Sequence, residues 1–147
     1  MLVRDVMSAF PAVIRTGADV RRAAELLSVS EVGHLMVLDA DDRFVGQLAE
    51  DDLIRALVPD LDGVLAAGAT MADAFRVFTE RGREVADRPI DPLVRREAVT
   101  VGPDDPLAKV AVALLDQGLR RIPVVVDGAL LGTVSRADVC RAVLYHA

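Results

Sequence analysis

Tryptophan is absent from this 147-residue chain, aromatic residues of all kinds make up 3%, and there is a single cysteine. The core must therefore be built from Val, Leu, Ala and Ile, within a hydrophobic share of 52%. One cysteine, Cys140, excludes an intramolecular disulfide and a thiolate metal cluster. Its setting between Val139 and Val143 predicts a small core residue. The two histidines, His34 and His146, are too far apart to form a recognisable metal-ligand pattern, so no metal is expected. His34 is read as partly buried and His146 as a solvated tail residue. Positive charge is also short. Seventeen Lys and Arg face 23 Asp and Glu, for a net charge of −6 and a pI near 4.8. That balance argues against nucleic acid or an anionic membrane surface as partner. No apolar run reaches bilayer length, and the opening MLVRDVMSAF lacks the apolar core of a signal peptide. A soluble, cytoplasmic protein is expected. Neither a glycine-rich phosphate loop nor a nucleophile with a base at recognisable spacing occurs, so no enzymatic activity is expected.

What is present centres on residues 120–139, RRIPVVVDGALLGTVSRADV. The valine run reads as a buried strand, Asp127-Gly128 as a tight hairpin turn, and the return through Val134 as a second strand. Ser135 then stands where a helix N-cap belongs, with Asp138 three residues on, the spacing of a capping box. Most such tetrapeptides are plain caps. The same place, however, suits phosphate, because free N–H groups and the helix dipole both favour an anion.

The preceding chain falls into an ordered series. Pro11 to Ile14 reads as a brief strand. Val20, Ala23, Ala24 and Leu27 mark one face of a helix over about 20–30. Leu35 to Leu38 and Phe44 to Leu48 read as paired strands, and Glu50-Asp51-Asp52 opens a helix whose acids suit its dipole. Pro59 ends that helix. Residues 60–68 carry two glycines among small residues, Thr70 to Arg81 has helical spacing, and Gly82 is expected to cap its C-terminus. The charged stretch 83–96 reads as an exposed connection. The first pattern then returns: a brief strand at Val99 to Val101, and a helix from Asp104-Asp105-Pro106 to Gly118 with proline at its first position. Leu107, Val110, Ala111, Leu114 and Leu115 mark its apolar face.

The two series superpose. Val37 corresponds to Val124 and Gly46 to Gly132, offsets of 87 and 86 residues, with the one-residue difference in the hairpin turn. The order strand–helix–strand–strand–helix occurs twice, as expected of a duplication. At roughly 55 residues, neither unit alone would bury much surface, so the two should pack together.

Both units resemble the CBS domain, and their tandem arrangement is similar to a Bateman module. The second carries Arg121-Ile122-Pro123-Val124 and Gly132-Thr133-Val134-Ser135-Arg136-Ala137-Asp138. The first carries Val3-Arg4-Asp5-Val6-Met7, the strand Leu35 to Leu38, and Gly46 to Asp52. The resemblance implies an α+β fold in which two βαββα motifs, residues 3–58 and 90–144, pack as a pseudo-twofold pair. Residues 59–89 would connect them, with a helix near 70–82.

The resemblance also implies two clefts between the motifs, suited to adenosine-containing ligands: AMP, ADP, ATP or S-adenosylmethionine. Carried over by position, Ser135 contacts phosphate and Asp138 grips the ribose hydroxyls, beside Thr133 on the same strand. Arg120 and Arg121 would pair with phosphate through their planar forks of donors. The base would rest on Ala12, Val13, Val32 and His34. The first motif departs from the pattern. Ala49 replaces the hydroxyl, Glu50 and Asp51 add negative charge, and no arginine is evident nearby. Asp52 is retained, making this the weaker site.

These readings lead to a stand-alone, non-catalytic regulatory module that binds an adenosyl ligand and requires no cofactor. Regulation needs a ligand that distinguishes two states, so an effector protein in trans, or a change in the dimer itself, is expected. A homodimer is expected from the apolar surplus on Ala24, Leu27, Val110, Ala111 and Leu114. The residues Phe75 and Phe78 should pack on the module or on a partner chain. The alternative reading is a ligand-free structural or interaction scaffold.

Overall fold

Residues 1–145 are described by the computed structural model; His146 and Ala147 lie outside the described residues. The first repeat supplies β1 (Val13–Arg15), α1 (Val20–Ser30), β2 (His34–Leu38), β3 (Phe44–Ala49) and α2 (Glu50–Leu57). The Asp19 side chain accepts the Arg22 N–H at 2.8 Å and starts α1, which buries Val20, Ala23 and Leu27. Strand β2 is central, parallel to β1 and antiparallel to β3.

The middle segment holds two helices. Helix α3 (Leu61–Ala66) is capped by Asp60, which accepts from Gly63 N at 2.9 Å. The two glycines of this stretch hid it from periodicity. Helix α4 (Met71–Val85) opens on a complete capping box: Asp73 N donates to Thr70 Oγ1 at 3.1 Å, and Thr70 N to the Asp73 carboxylate at 3.0 Å. It passes through Gly82 rather than ending there. Interior glycine costs a helix roughly 1 kcal/mol, but continuing lets Val85 enter the first core at 3% exposure. The following stretch is likewise no free connection, since Ile90 is completely buried in that core. Phe75 stays 66% exposed, with its ring centroid 6.4 Å from that of Phe78.

The second repeat contains α5 (Leu107–Asp116), β4 (Arg121–Val126), β5 (Ala129–Ser135) and α6 (Arg136–Tyr145). Pro106 is the N-cap of α5 rather than its first helical residue. Leu115 faces solvent at 74% exposure, and Cys140 is exposed, not a core residue. The brief strand expected at 99–101 is reduced to one parallel bridge, Val101 to Val124. In the first repeat, Met36 N donates to Ala12 O at 2.9 Å. Its counterpart is Pro123, which has no N–H to donate, so the ladder is shorter.

The two repeats interlock. Val3, at the start of the chain, is fully buried in the second core, alongside Val110, Ile122 and Val134. Its counterpart Ile90 is fully buried in the first, alongside Leu35 and Leu48. Each repeat therefore sends its leading segment across to the other. Ser8 and Thr133 exchange backbone hydrogen bonds of 2.8 and 3.0 Å, and Gln47 and Arg95 exchange theirs at 3.1 and 2.9 Å. The crossing passes so close to the hairpin that a Cβ on Gly132 would collide with the Ser8 carbonyl. One on Gly46 would collide with that of Arg95. These two glycines are needed for the approach of another backbone. Two βαββα motifs thus form a pseudo-twofold pair, an α+β fold.

Candidate functional site

Ser135 ends β5 and heads α6. Its hydroxyl donates to the Asp138 carboxylate at 2.9 Å and accepts from Asp138 N at 3.1 Å. Its backbone N–H donates to the same carboxylate oxygen at 2.8 Å. The other Asp138 oxygen accepts from Arg141 at 2.8 Å. This is a full capping box, and it holds both side chains in one orientation. Thr133 lies two residues earlier, on the same face of β5. It is fully buried, and its Oγ1 is 2.7 Å from Arg121 Nη1, which donates to it.

Beside this strand a cleft of about 150 Å³ opens between the repeats, lined by Thr133, Arg121, Ser8, Ala12, Val32 and His34, with Phe10 also in its lining. The structure thus gathers Ala12, Val32, His34, Arg121 and Thr133 in one place. Val13 is outside it, because alternation along β1 turns Ile14 inward and leaves Val13 40% exposed. Ser135 and Asp138 do not line the open cavity; they are buried, at 8% and 5% exposure. Phe10, Ser8 and Met36 line it too and were not picked out from sequence.

The equivalent first cleft measures about 190 Å³ and is lined by Ala49, Asp52, Glu50, Asp51 and His34, together with Arg95, Arg120 and Arg121. The expectation that no arginine stands here is overturned. Arg95 arrives on the crossing segment and its Nε donates to Asp52 at 2.8 Å. Arg120 and Arg121, placed by sequence beside Ser135, both face this cleft, and of the two only Arg121 reaches the second as well. The 87-residue offset carries the signal for Arg95, since it matches Ser8, the neighbour of Met7 in the opening motif.

Capping differs between the two. At α2 the Asp52 carboxylate accepts from Ala49 N at 2.9 Å, but no side-chain hydroxyl returns the bond. His34 lies between the clefts and lines both. Burial pushes its imidazole below the ordinary value. A hydrogen bond to the Val32 backbone opposes that, Arg121 and Arg120 add to the lowering, and Glu50 opposes it. Among the described residues no group of three or more His, Cys, Asp or Glu could hold a metal ion. Among the described residues no helix is long and apolar enough to cross a membrane.

A family model described as the CBS domain matches residues 3–59 and 83–145. An uncharacterized protein of Methanocaldococcus jannaschii is 24% identical over 92% of this chain and 40% of its own length. The A-adding tRNA nucleotidyltransferase of Aquifex aeolicus is 26% identical over 96% of this chain but 14% of its own. The chain therefore spans less than half of either relative. Among solved structures, CBSX2 in complex with AMP is 27% identical, covering 97% of this chain and 96% of that one, with a TM-score of 0.74.

Proposed function

The chain belongs to the CBS-domain family as a tandem pair, and from that premise we propose that it is a regulatory module binding one adenosyl ligand in its second cleft. The observation that carries this reading is the ordered Ser135–Asp138 capping box at the head of α6, beside Thr133 and Arg121. A fixed hydroxyl at a helix N-terminus suits a phosphate, and a held carboxylate can accept both hydroxyls of a ribose. The AMP in the CBSX2 structure supports the same ligand class, with ADP, ATP and S-adenosylmethionine as its variants. The module is non-catalytic in this reading and acts by favouring one conformation of an effector protein or of its own dimer. Turnover of a bound nucleotide would contradict it.

A homodimer is part of the proposal. Leu27, Val110 and Leu114, expected to supply its surface, are buried within the chain. Val112 and Leu115 on α5 and Val143 and Leu144 on α6 are instead 57–74% exposed. Such apolar exposure suits a symmetric contact. Light scattering of a monomer at micromolar concentration would remove this part. A cytoplasmic setting is also proposed, since an exposed free thiol at Cys140 fits a reducing compartment.

A second reading, the ligand-free scaffold, draws on the size of the clefts, 150 and 190 Å³. Ligand sites usually measure about 300–1,000 Å³. Calorimetric titration of purified protein with AMP, ADP, ATP and S-adenosylmethionine separates the two. Saturable binding of at least one supports the sensor; no heat and no change in thermal midpoint with any of them supports the scaffold.

A further inference from the structure

Asp52 lines the first cleft with its side chain 8% exposed, and both of its carboxylate oxygens are already engaged. One accepts from Ala49 N at 2.9 Å, within its own helix head. The other accepts from Arg95 Nε at 2.8 Å, a donor 43 residues away on the leading segment of the other repeat. That segment is fixed, because the Arg95 N–H and carbonyl both bond to Gln47 on β3. The second repeat is arranged differently. There the Asp138 carboxylate takes its donors from Ser135 and Arg141, both of its own repeat. Arg55 is the counterpart of Arg141 by the 86-residue offset, yet it stands 3.8 Å from Asp52, beyond hydrogen-bond length. Arg95 holds the oxygen that Arg55 would otherwise reach.

We propose that Arg95 is an autoinhibitory latch on the first cleft, its guanidinium occupying the carboxylate that a ribose diol would need. The inference rests on the adenosyl reading above and adds the device that keeps one of the two clefts shut. A hydrogen bond from a guanidinium to a carboxylate is about twice as strong as one between neutral groups. Arg95 is also tethered, whereas a free ligand gives up translational and rotational freedom to compete for the same oxygen. At the equivalent position of the second cleft stands Ser8, whose short side chain carries no charge to offer Asp138. The latch therefore exists on one side of the pseudo-twofold axis alone.

The missing hydroxyl at Ala49 is the competing cause of a silent first cleft, so the test varies both positions. AMP is titrated by calorimetry into wild type, Ala49→Ser, Ala49→Ser/Arg95→Ser and Ala49→Ser/Arg95→Ser/Asp52→Ala. Serine at 95 suits the backbone, since Ser8 makes the equivalent paired bonds to Thr133. Wild type and Ala49→Ser should bind one AMP per chain, the double variant two, and the triple variant one again. The ligand retained in the triple variant shows that the chain is still folded. Two ligands in Ala49→Ser alone, or one in the double variant, overturns the inference and leaves the proposed function intact. Loss of all binding in the double variant would make Arg95 a ligand contact and equally overturn it. If wild type binds none and the double variant binds one, the latch stands and the second-cleft reading fails. No binding to any of the four removes both.

Discussion

Helices α2 and α6 begin at equivalent places in the two repeats, and their backbones are held in the same way. In each, the fourth residue of the motif, Asp52 or Asp138, accepts the N–H three positions earlier at 2.9 or 2.8 Å. In each, a crossing segment passes over a glycine that has no room for a side chain. The side chains in and beside the clefts have diverged. In the cleft linings Ser8 corresponds to Arg95 and Thr133 to Gln47, and at the helix heads Ser135 corresponds to Ala49. The duplicated backbone constrains glycine, aspartate and the buried Val3 and Ile90, because changing them breaks packing. It leaves cleft chemistry free to differ, so one scaffold can carry two unequal sites.

The largest expected effect tests the shared part. Gly132→Ala and Gly46→Ala each drive a Cβ into a backbone carbonyl, and overpacking of this kind costs about 1–3 kcal/mol. Thermal unfolding should show both variants several degrees below wild type and close to one another. If one is tolerated and the other is not, the two crossings are not equivalent. A smaller effect tests the caps. Losing a serine N-cap costs about 1 kcal/mol, so Ser135→Ala should destabilise by that amount, and Ala49→Ser should stabilise by a similar one. Urea titration with an unchanged slope would read this directly. No gain in Ala49→Ser would mean that α2 cannot accept the cap that α6 uses.

The smallest effect concerns His34, shared by both clefts. Its folded-state pKa lies below the ordinary 6.5, so the folded protein favours the neutral ring. The stability this contributes is complete above pH 6.5 and is lost as pH falls from there toward the lower folded value. Unfolding midpoints measured across that window should fall with acid in wild type and fall less in His34→Gln. Identical slopes would show that the ring is free in the folded state.

Most of the fold was legible because its elements announce themselves. Val20, Ala23 and Leu27 keep helical period, and Asp127-Gly128 supplies positive φ at both turn positions, 50° and 79°. Contacts distant in sequence were not legible. Val3 and Ile90 read as members of their own repeats, yet each completes the core of the other. Gly82 read as a helix end because local propensity carries no information about the core waiting for Val85. At the site, strand alternation and the motif spacing brought Thr133, Ser135 and Asp138 together. The arrival of Arg95 in the first cleft depended on the crossing.

The unequal clefts are tested most directly by calorimetric titration of AMP into wild type, Asp138→Ala, Ser135→Ala and Asp52→Ala. A hydrogen bond to a charged group is worth roughly 1.5–3 kcal/mol, and 1.4 kcal/mol is a factor of ten. One ligand per chain is expected in wild type. Asp138→Ala and Ser135→Ala should each weaken it by about tenfold or more, while Asp52→Ala leaves it nearly unchanged. Loss of binding in Asp52→Ala, with Ser135→Ala and Asp138→Ala unaffected, would move the ligand to the arginine-lined first cleft and contradict the account.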